Sequence, residues 1–288
     1  MITHETIPDY YDWLSRYVQL ANWLSYGDRF ASFTMHKTLS VPPETDRAKQ
    51  RRSAGLEYVN DRLLKAAQLP EAPRVLDAGC GFGGTIFHWY DQIGGAYDGL
   101  TLSRVQLQVA QREARRRGID EVCRFHLRSY DAPIAGSYDA VTAIESLIHA
   151  PVLDRTIPNL AKSLRPGGLM LILDDMAKAE IDVESPSEAR LLRDHWGCNP
   201  YHTQDDYRRA LSLAHLRVIH EEDLTLQVQP RTSATLDKLE RIYERLYKAI
   251  PLTSVRIVLS AYLGGLALER LYLKEKVSYR LLIARKEG

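Results

Sequence analysis

The chain has 288 residues, 45 % of them hydrophobic, enough to bury one large core or a core with a cap. Its 38 Lys and Arg against 37 Asp and Glu leave a formal charge of +1, so no global field steers it toward nucleic acid or an anionic membrane. Cys80, Cys123 and Cys198 lie far apart, without metal-ligand or disulfide spacing, which suits a reducing cytoplasm.

In chain order, "MITHETIPDYYDW" lacks a basic region followed by an apolar run, so no secretory signal is expected. Residues 1–69 have helical spacing and are crowded with aromatics, among them Tyr10, Tyr11, Trp13, Tyr17, Trp23, Tyr26, Phe30 and Phe33. They read as a helical cap or lid. From residue 70 strand and helix signals alternate. "RVLDAG" and "AYDGLTL" are strands separated by a helix that starts in glycines. "SRVQLQVAQREARRRG" is a helix with Ser103 as N-cap and Gly118 as stop. "VCRFHL", "YDAVTAIE" and "GLMLILDD" continue the strands, with a helix near 152–164 between the last two. The irregular stretch "DHWGCNPYH" precedes a helix, "TQDDYRRALSLA", capped by Thr203, and the strand "LRVIHEEDLTL". Residues 231–272 form two amphipathic helices, with Leu236, Leu239, Ile242, Tyr243 and Leu246 on one face of the first. The apolar run in the second is broken by Glu269 and Arg270 and is too short to span a bilayer, so the chain reads as soluble and cytoplasmic. "VSYRLLIAR" is the closing strand.

This order implies an α/β fold, a doubly wound, Rossmann-like parallel sheet with helices on both faces. The expected organisation is a cap over 1–69, a core over 70–230, a helical insertion over 231–272 and a final core strand over 273–288.

The stretch "RVLDAGCGFGGTIF", residues 74–87, carries the first chemical signal. A glycine-rich turn from strand to helix lets backbone N–H groups approach a ligand. Gly79, Gly81 and Gly84 satisfy G-x-G-x-x-G, so a dinucleotide is one reading. Asp77 argues against it, because a carboxylate before the loop repels a pyrophosphate. It attracts the ammonium of a methionine moiety, or pins the loop by accepting its N–H groups.

"VLDAGCGFGG" resembles the first motif of class I S-adenosylmethionine-dependent methyltransferases. The similarity continues through "GLTLSRVQ", "YDAVTAIESLIHAP", "LAKSLRPGGLMLIL" and the closing strand, covering roughly residues 70–176. It implies a seven-stranded sheet with the last strand antiparallel beside the fifth, and S-adenosylmethionine as cofactor. It places Asp77, Gly79, Cys80, Gly81 and Gly83 at the methionine end, Thr101, Leu102 and Gln106 at the ribose, and Ile144 nearby. Two departures stand out. Thr101 replaces the usual acid that grips the ribose, and Arg128 falls where an acid often holds the adenine, leaving Ser129, Tyr130 or Asp131 for that contact.

The "GLTLSRVQ" form resembles the branch of tocopherol, sterol and prenyl-diphosphate C-methyltransferases and cyclopropane fatty acid synthases, and is shared by some N- and O-methyltransferases of secondary metabolism. Methylating an alkene leaves a carbocation, which requires a dry pocket, aromatic faces and a base. Glu145, ending an apolar strand, matches an "ES" dipeptide whose Glu is the presumed base in related prenyl-diphosphate enzymes. His149 is a second candidate, structural or cofactor-adjacent in the alternative reading. Tyr10, Tyr11, Tyr17 and Tyr26, with Trp196 and Tyr201, are expected to wall a small, apolar substrate. Arg47, Lys49, Arg51, Arg52, His36 and Lys37 offer cations for a diphosphate, but no metal motif is evident, so Mg²⁺ is expected only with a diphosphate substrate. The rival readings are an N- or O-methyltransferase and a non-catalytic cofactor-binding module. No nucleic-acid partner is expected, and the composition is compatible with a homo-oligomer.

Overall fold

The computed structural model describes residues 7–26, 33–41, 54–181, 187–198 and 201–288. Two helices, α1 (Ile7–Tyr26) and α2 (Ala54–Ala67), precede the first strand. The alternating part comprises β1 (Arg74–Ala78), α3 (Gly84–Ile93), β2 (Ala96–Thr101), α4 (Arg104–Arg117), β3 (Cys123–Leu127), β4 (Tyr138–Ile144), α5 (Leu153–Ala161) and β5 (Leu164–Ala177). Then come α6 (Ser187–Trp196), α7 (Gln204–Leu213), β6 (Leu216–Asp223), α8 (Ser233–Ala249), α9 (Thr253–Leu273) and β7 (Val277–Lys286).

The strands form one seven-stranded sheet in the order β3-β2-β1-β4-β5-β7-β6. β1 to β5 are parallel, and β7 inserts antiparallel to both β5 and β6. Alternation along β1 shows why both faces are covered. Val75 points into the layer containing Phe87, Trp89 and Ala110, whereas Leu76 and Ala78 point to Leu153, Ile157 and Tyr207 on the other side. Trp89 is fully buried and donates from Nε1 to the carbonyl of Asn60 at 3.1 Å, tying α3 to α2.

Helix ends follow local chemistry. Ser103 Oγ accepts from Gln106 N at 3.1 Å, and Gly118 closes α4 in the left-handed conformation. Thr203 and Asp206 form a reciprocal capping box. Three expectations are corrected. Trp196 is not in an irregular stretch but is the last residue of α6, a helix whose buried face includes Leu192. The strand expected to reach Leu226 stops at Asp223, and Thr225–Gln227 is a 3₁₀ turn. On α8 only Leu236 is buried, while Ile242 and Leu246 remain substantially exposed, so that face is only partly covered by α9.

The remaining helices sit over the carboxyl ends of the strands. α1 packs against α9 and α4, and α6 against α9. A Cβ at Gly264 of α9 would lie 2.3 Å from the Trp196 ring, so the missing side chain is what admits the indole. Trp196 Nε1 then donates to the carbonyl of Ala261 at 3.1 Å. Among the described residues no helix is long and apolar enough to cross a membrane.

Candidate active site

Strand order reverses between β1 and β4, so their carboxyl ends open a crevice beneath α1 and α6. β1 leads into the glycine loop, where Gly79, Gly81 and Gly83 have φ of 93°, 54° and 87°. A side chain at Gly79 would meet Ser146 Cβ at 2.5 Å, and one at Gly83 would meet the Phe125 ring at 2.7 Å, so packing alone excludes a side chain at both positions. At Gly81 the nearest atoms to an added Cβ belong to Met35, at 3.6 Å or more. Gly81 and Met35 both line a cavity of about 250 Å³, so the loop presents bare backbone to that space. This fits a ligand that needs close backbone approach.

The cavity brings together Gly79, Gly81, Thr101, Leu102, Gln106, Tyr130 and Arg128 on the β1–β2 side. On the β4 side it is lined by Tyr10, Tyr11, Ile144, Glu145, His149 and Trp196. Thr101 Oγ1 donates to Gln106 Oε1 at 2.6 Å and accepts from Ser103 N at 3.1 Å. Gln106 Nε2 donates to the sulfur of Met35 at 3.0 Å. The Tyr130 hydroxyl donates to the carbonyl of Ser146 at 3.0 Å, and Arg128 donates to the carbonyl of Pro133.

Other expected residues lie outside the lining. Asp77 is buried within β1 and accepts from Thr142 Oγ1 at 2.8 Å; burial pushes its carboxyl up to about 7, against that bond. Cys80 packs in the core, and Ser129 accepts from Asp131 N in a local turn. Asp131 accepts from Thr156. Tyr17 and Tyr201, expected in the pocket wall, are elsewhere. Tyr17 is 37 % exposed and hydrogen-bonds Tyr262 at 2.7 Å, on the outer side of α1. Tyr201 is buried in the core, drawn there by its ring. Tyr26 ends α1, but its side chain lies outside the described residues, as do Trp23 and Phe30 and the candidate cations Arg47, Lys49, Arg51 and Arg52.

Glu145 follows the last residue of β4 with φ of 49°, a conformation that costs an ordinary residue of order 1–3 kcal/mol. Its N–H remains on the carbonyl of Leu173 at 2.8 Å. Three donors converge on Oε1: the N–H of Lys37 at 3.0 Å, the hydroxyl of Tyr279 at 2.8 Å, and the Lys37 ammonium at 3.3 Å. Lys37 Nζ also donates to Asp175 Oδ2 at 2.5 Å, and Tyr272 donates to Asp175 Oδ1. Burial pulls the Glu145 carboxyl up, but Lys37, His36 and the two hydrogen bonds outweigh it and hold the group below the usual carboxylate range. Burial raises Asp175, with the Lys37 charge opposing. Asp174 accepts from Ile148 N and Tyr207, and burial followed by its acidic neighbours pushes it up to about 8.

His149 lies in a 3₁₀ turn, Leu147–His149, and burial lowers its imidazolium to about 4. The neutral ring hydrogen-bonds the Tyr11 hydroxyl through Nε2, 2.7 Å away. Sequence reasoning missed Met35, Asp175, Tyr272 and Tyr279 as site residues. Asp175 carries the same signal as Glu145, a carboxyl ending an apolar strand; the two tyrosines have no local signature. Among the described residues no cluster of three or more His, Cys, Asp and Glu could hold a metal ion.

Residues 76–170 match the model of a methyltransferase domain. Methyltransferase GfsG of Streptomyces halstedii is 28 % identical over 62 % of this chain, which spans just under two thirds, 66 %, of that relative. O-methyltransferase rstn1 of Aspergillus nomiae is 31 % identical over 52 % of this chain and 67 % of its own length. Among solved structures, geranyl diphosphate C-methyltransferase from Streptomyces coelicolor, in complex with Mg²⁺, geranyl-S-thiolodiphosphate and S-adenosyl-L-homocysteine, has a TM-score of 0.71 at 20 % identity. That match covers 98 % of this chain and 97 % of the other.

Proposed function

The chain belongs to the class I S-adenosylmethionine-dependent methyltransferases, and from that premise we propose that it methylates an alkene carbon of a small apolar metabolite, isoprenoid or lipid-like. When bound, S-adenosylmethionine supplies an electrophilic methyl on a positively charged sulfur. The backbone at Gly79 and Gly81 suits its methionine end, Thr101, Leu102 and Gln106 suit its ribose, and Tyr130 with Arg128 would border the adenine.

The observation that carries the reading is the placement of Glu145, a carboxyl that lines a cavity with Tyr10, Tyr11 and Trp196 and takes donors from Lys37 and Tyr279 on one oxygen, which favours its ionised form. Methylation of an alkene leaves a cation whose neighbouring C–H is strongly acidic. A weak base suffices to remove that proton, and the C–H pair restores the double bond. A His149 imidazole lowered to about 4 by burial is poorly matched to the proton of an alcohol. Aromatic faces favour the cation before the proton leaves.

Among the described residues at this corner, the Lys37 ammonium is already engaged by Asp175 and Glu145, which favours a neutral substrate end over a diphosphate there. Mg²⁺ enters only if a diphosphate does. A cytoplasmic location suits the balanced charge and the free cysteines.

The rstn1 relative is named as an O-methyltransferase, which favours a heteroatom acceptor as the second reading. Incubating the full chain with methyl-labelled S-adenosylmethionine and farnesol, farnesyl diphosphate with Mg²⁺, or a phenol of similar size separates the readings. Label on carbon of the neutral alkene is the expected result. Label on the phenol oxygen alone replaces it with the heteroatom reading. Cofactor binding without transfer to any acceptor in a wider metabolite extract leaves a binding module.

A further inference from the structure

We propose that Lys37 is the positioning residue of this site: it fixes the Glu145 carboxylate through Oε1 and leaves Oε2 as the atom that meets the substrate. The inference rests on the reading of Glu145 as base and extends it to a residue 108 positions away in the sequence.

Lys37 lies on a short irregular strap, residues 33–41, that lines the cavity with Met35, His36 and Lys37. The strap is fixed at several points. Phe33 packs on Phe87, His36 Nε2 faces Asn60 Nδ2 at 2.9 Å, and Ser40 N donates to the carbonyl of Gln227 at 3.0 Å. His36 Nδ1 lies 2.9 Å from the carbonyl of Lys37, which orients that peptide unit. From this frame Lys37 delivers two donors to one oxygen, its own N–H at 3.0 Å and its ammonium at 3.3 Å. Tyr279 adds a third from β7 at 2.8 Å. All three fall on Oε1, and the Glu145 side chain is still 19 % exposed. The ammonium is itself braced by Asp175 at 2.5 Å and lies 4.9 Å from the centre of the Tyr279 ring.

This arrangement does two things to a carboxylate. It stops rotation of the group, so one oxygen keeps one position. It also sets its charge: the groups facing Glu145 are His36 and Lys37 from the strap, Asp174 and Asp175 from β5, Tyr279 from β7 and Tyr11 from α1. Lys37 is the cation among them that is charged at neutral pH, because burial keeps His36 low. Without Lys37, Glu145 would share a buried corner with two more carboxyls and, as the remaining basic group, only His36, itself held low by burial, which favours the protonated form.

The test reads the ionisation directly and needs no substrate. Infrared carboxyl difference spectra of the full chain are recorded across pH for the wild type, Lys37→Met and Lys37→Arg, with Glu145→Gln identifying the Glu145 band. In Lys37→Met the Glu145 titration should rise by about one to three pH units, the size of a close counter-charge effect, and Lys37→Arg should return it to near the wild-type position. An unchanged titration in Lys37→Met overturns the proposal. Thermal melting and S-adenosylhomocysteine calorimetry check that each variant is folded; if the methionine variant is not, Lys37→Gln is read in its place. Turnover retained by Glu145→Gln would remove the base reading while leaving the titration result standing, so the two failures are distinguishable.

Discussion

Tyr11 on α1 hydrogen-bonds through its hydroxyl to Nε2 of His149 at 2.7 Å, with the two rings nearly perpendicular, and so joins the first helix to the 3₁₀ turn after β4. The next residue docks the helix a second time. Asp12 Oδ1 accepts from Ser103 Oγ at 2.5 Å and from Val105 N at 3.2 Å, at the N-terminus of α4. A carboxylate is favoured there by the unpaired N–H groups and the helix dipole. Neighbouring residues of α1 thus tie the helix to the turn after β4 and to the start of α4.

Breaking either contact should loosen α1 without unfolding the sheet. Tyr11→Phe removes one hydrogen bond, net about 0.5–1.5 kcal/mol, so amide exchange in α1 should accelerate by roughly two- to tenfold. Asp12→Ala removes charge-assisted bonds and should have the larger effect. Hydrogen-exchange mass spectrometry reads both, and exchange in α1 that matches wild type in both variants would show that the helix is held by other contacts.

The glycine loop separates packing from ligand contact. Gly81→Val adds a side chain facing Met35 and the cavity, at a cost of about 1–2 kcal/mol for the left-handed backbone. The variant should fold and fail to bind S-adenosylhomocysteine by calorimetry. Gly79→Val drives a Cβ against Ser146 and should lower the melting temperature far more. Unchanged affinity in folded Gly81→Val would place the cofactor elsewhere.

Much of the frame was legible in the sequence, because its signals are local. Ser103, Gly118 and Thr203 act through neighbours within four or five positions, and the apolar runs of β1, β4 and β5 show a buried parallel sheet on their own. The acceptor corner was legible only in part. Glu145 stands out as a carboxyl ending an apolar strand, but its partners come from 108 and 134 residues away. Lys37 read as one cation in a patch for a diphosphate, yet it spends its charge on two carboxyls. Nothing near Tyr279 in sequence distinguishes it from any strand tyrosine. Tyr17 does not line the cavity: α1 turns that position to Tyr262, a partner 245 residues away that nothing local in the sequence announces.

His149 should make stability depend on pH. Its folded value of about 4 lies below the unfolded value of about 6.5, so its contribution is complete above the latter and is lost as pH falls toward 4. The full effect is of order 3 kcal/mol. Asp77 and Asp174, raised to about 7 and about 8, act oppositely and lose stability as pH rises. Urea unfolding of wild type minus His149→Gln isolates the histidine: the difference should shrink from pH 7 to pH 4. A constant difference would mean that the ring is not held neutral by the fold.

Asp77 offers a separate check on the cofactor's orientation. If the methionine ammonium lies near this carboxyl, binding should lower its value from about 7 and release roughly half a proton at pH 7. Calorimetry with S-adenosylhomocysteine in buffers of different ionisation enthalpy measures the release. Asp77→Asn should abolish it; release of the same size in that variant would assign the proton to another group.

Glu145→Gln tests the reaction class most directly. The substitution keeps the side chain's shape and removes its basicity, while the residues proposed for the cofactor are untouched. On the alkene that accepts label, turnover should fall by roughly two to four orders of magnitude, the range for a positioned acid–base group. S-adenosylhomocysteine affinity should stay near that of wild type. Residual product should carry a shifted double bond or captured water, since the cation must still be quenched. Near-wild-type turnover with an unrearranged product would contradict proton removal by Glu145 and, with it, methylation through a carbocation.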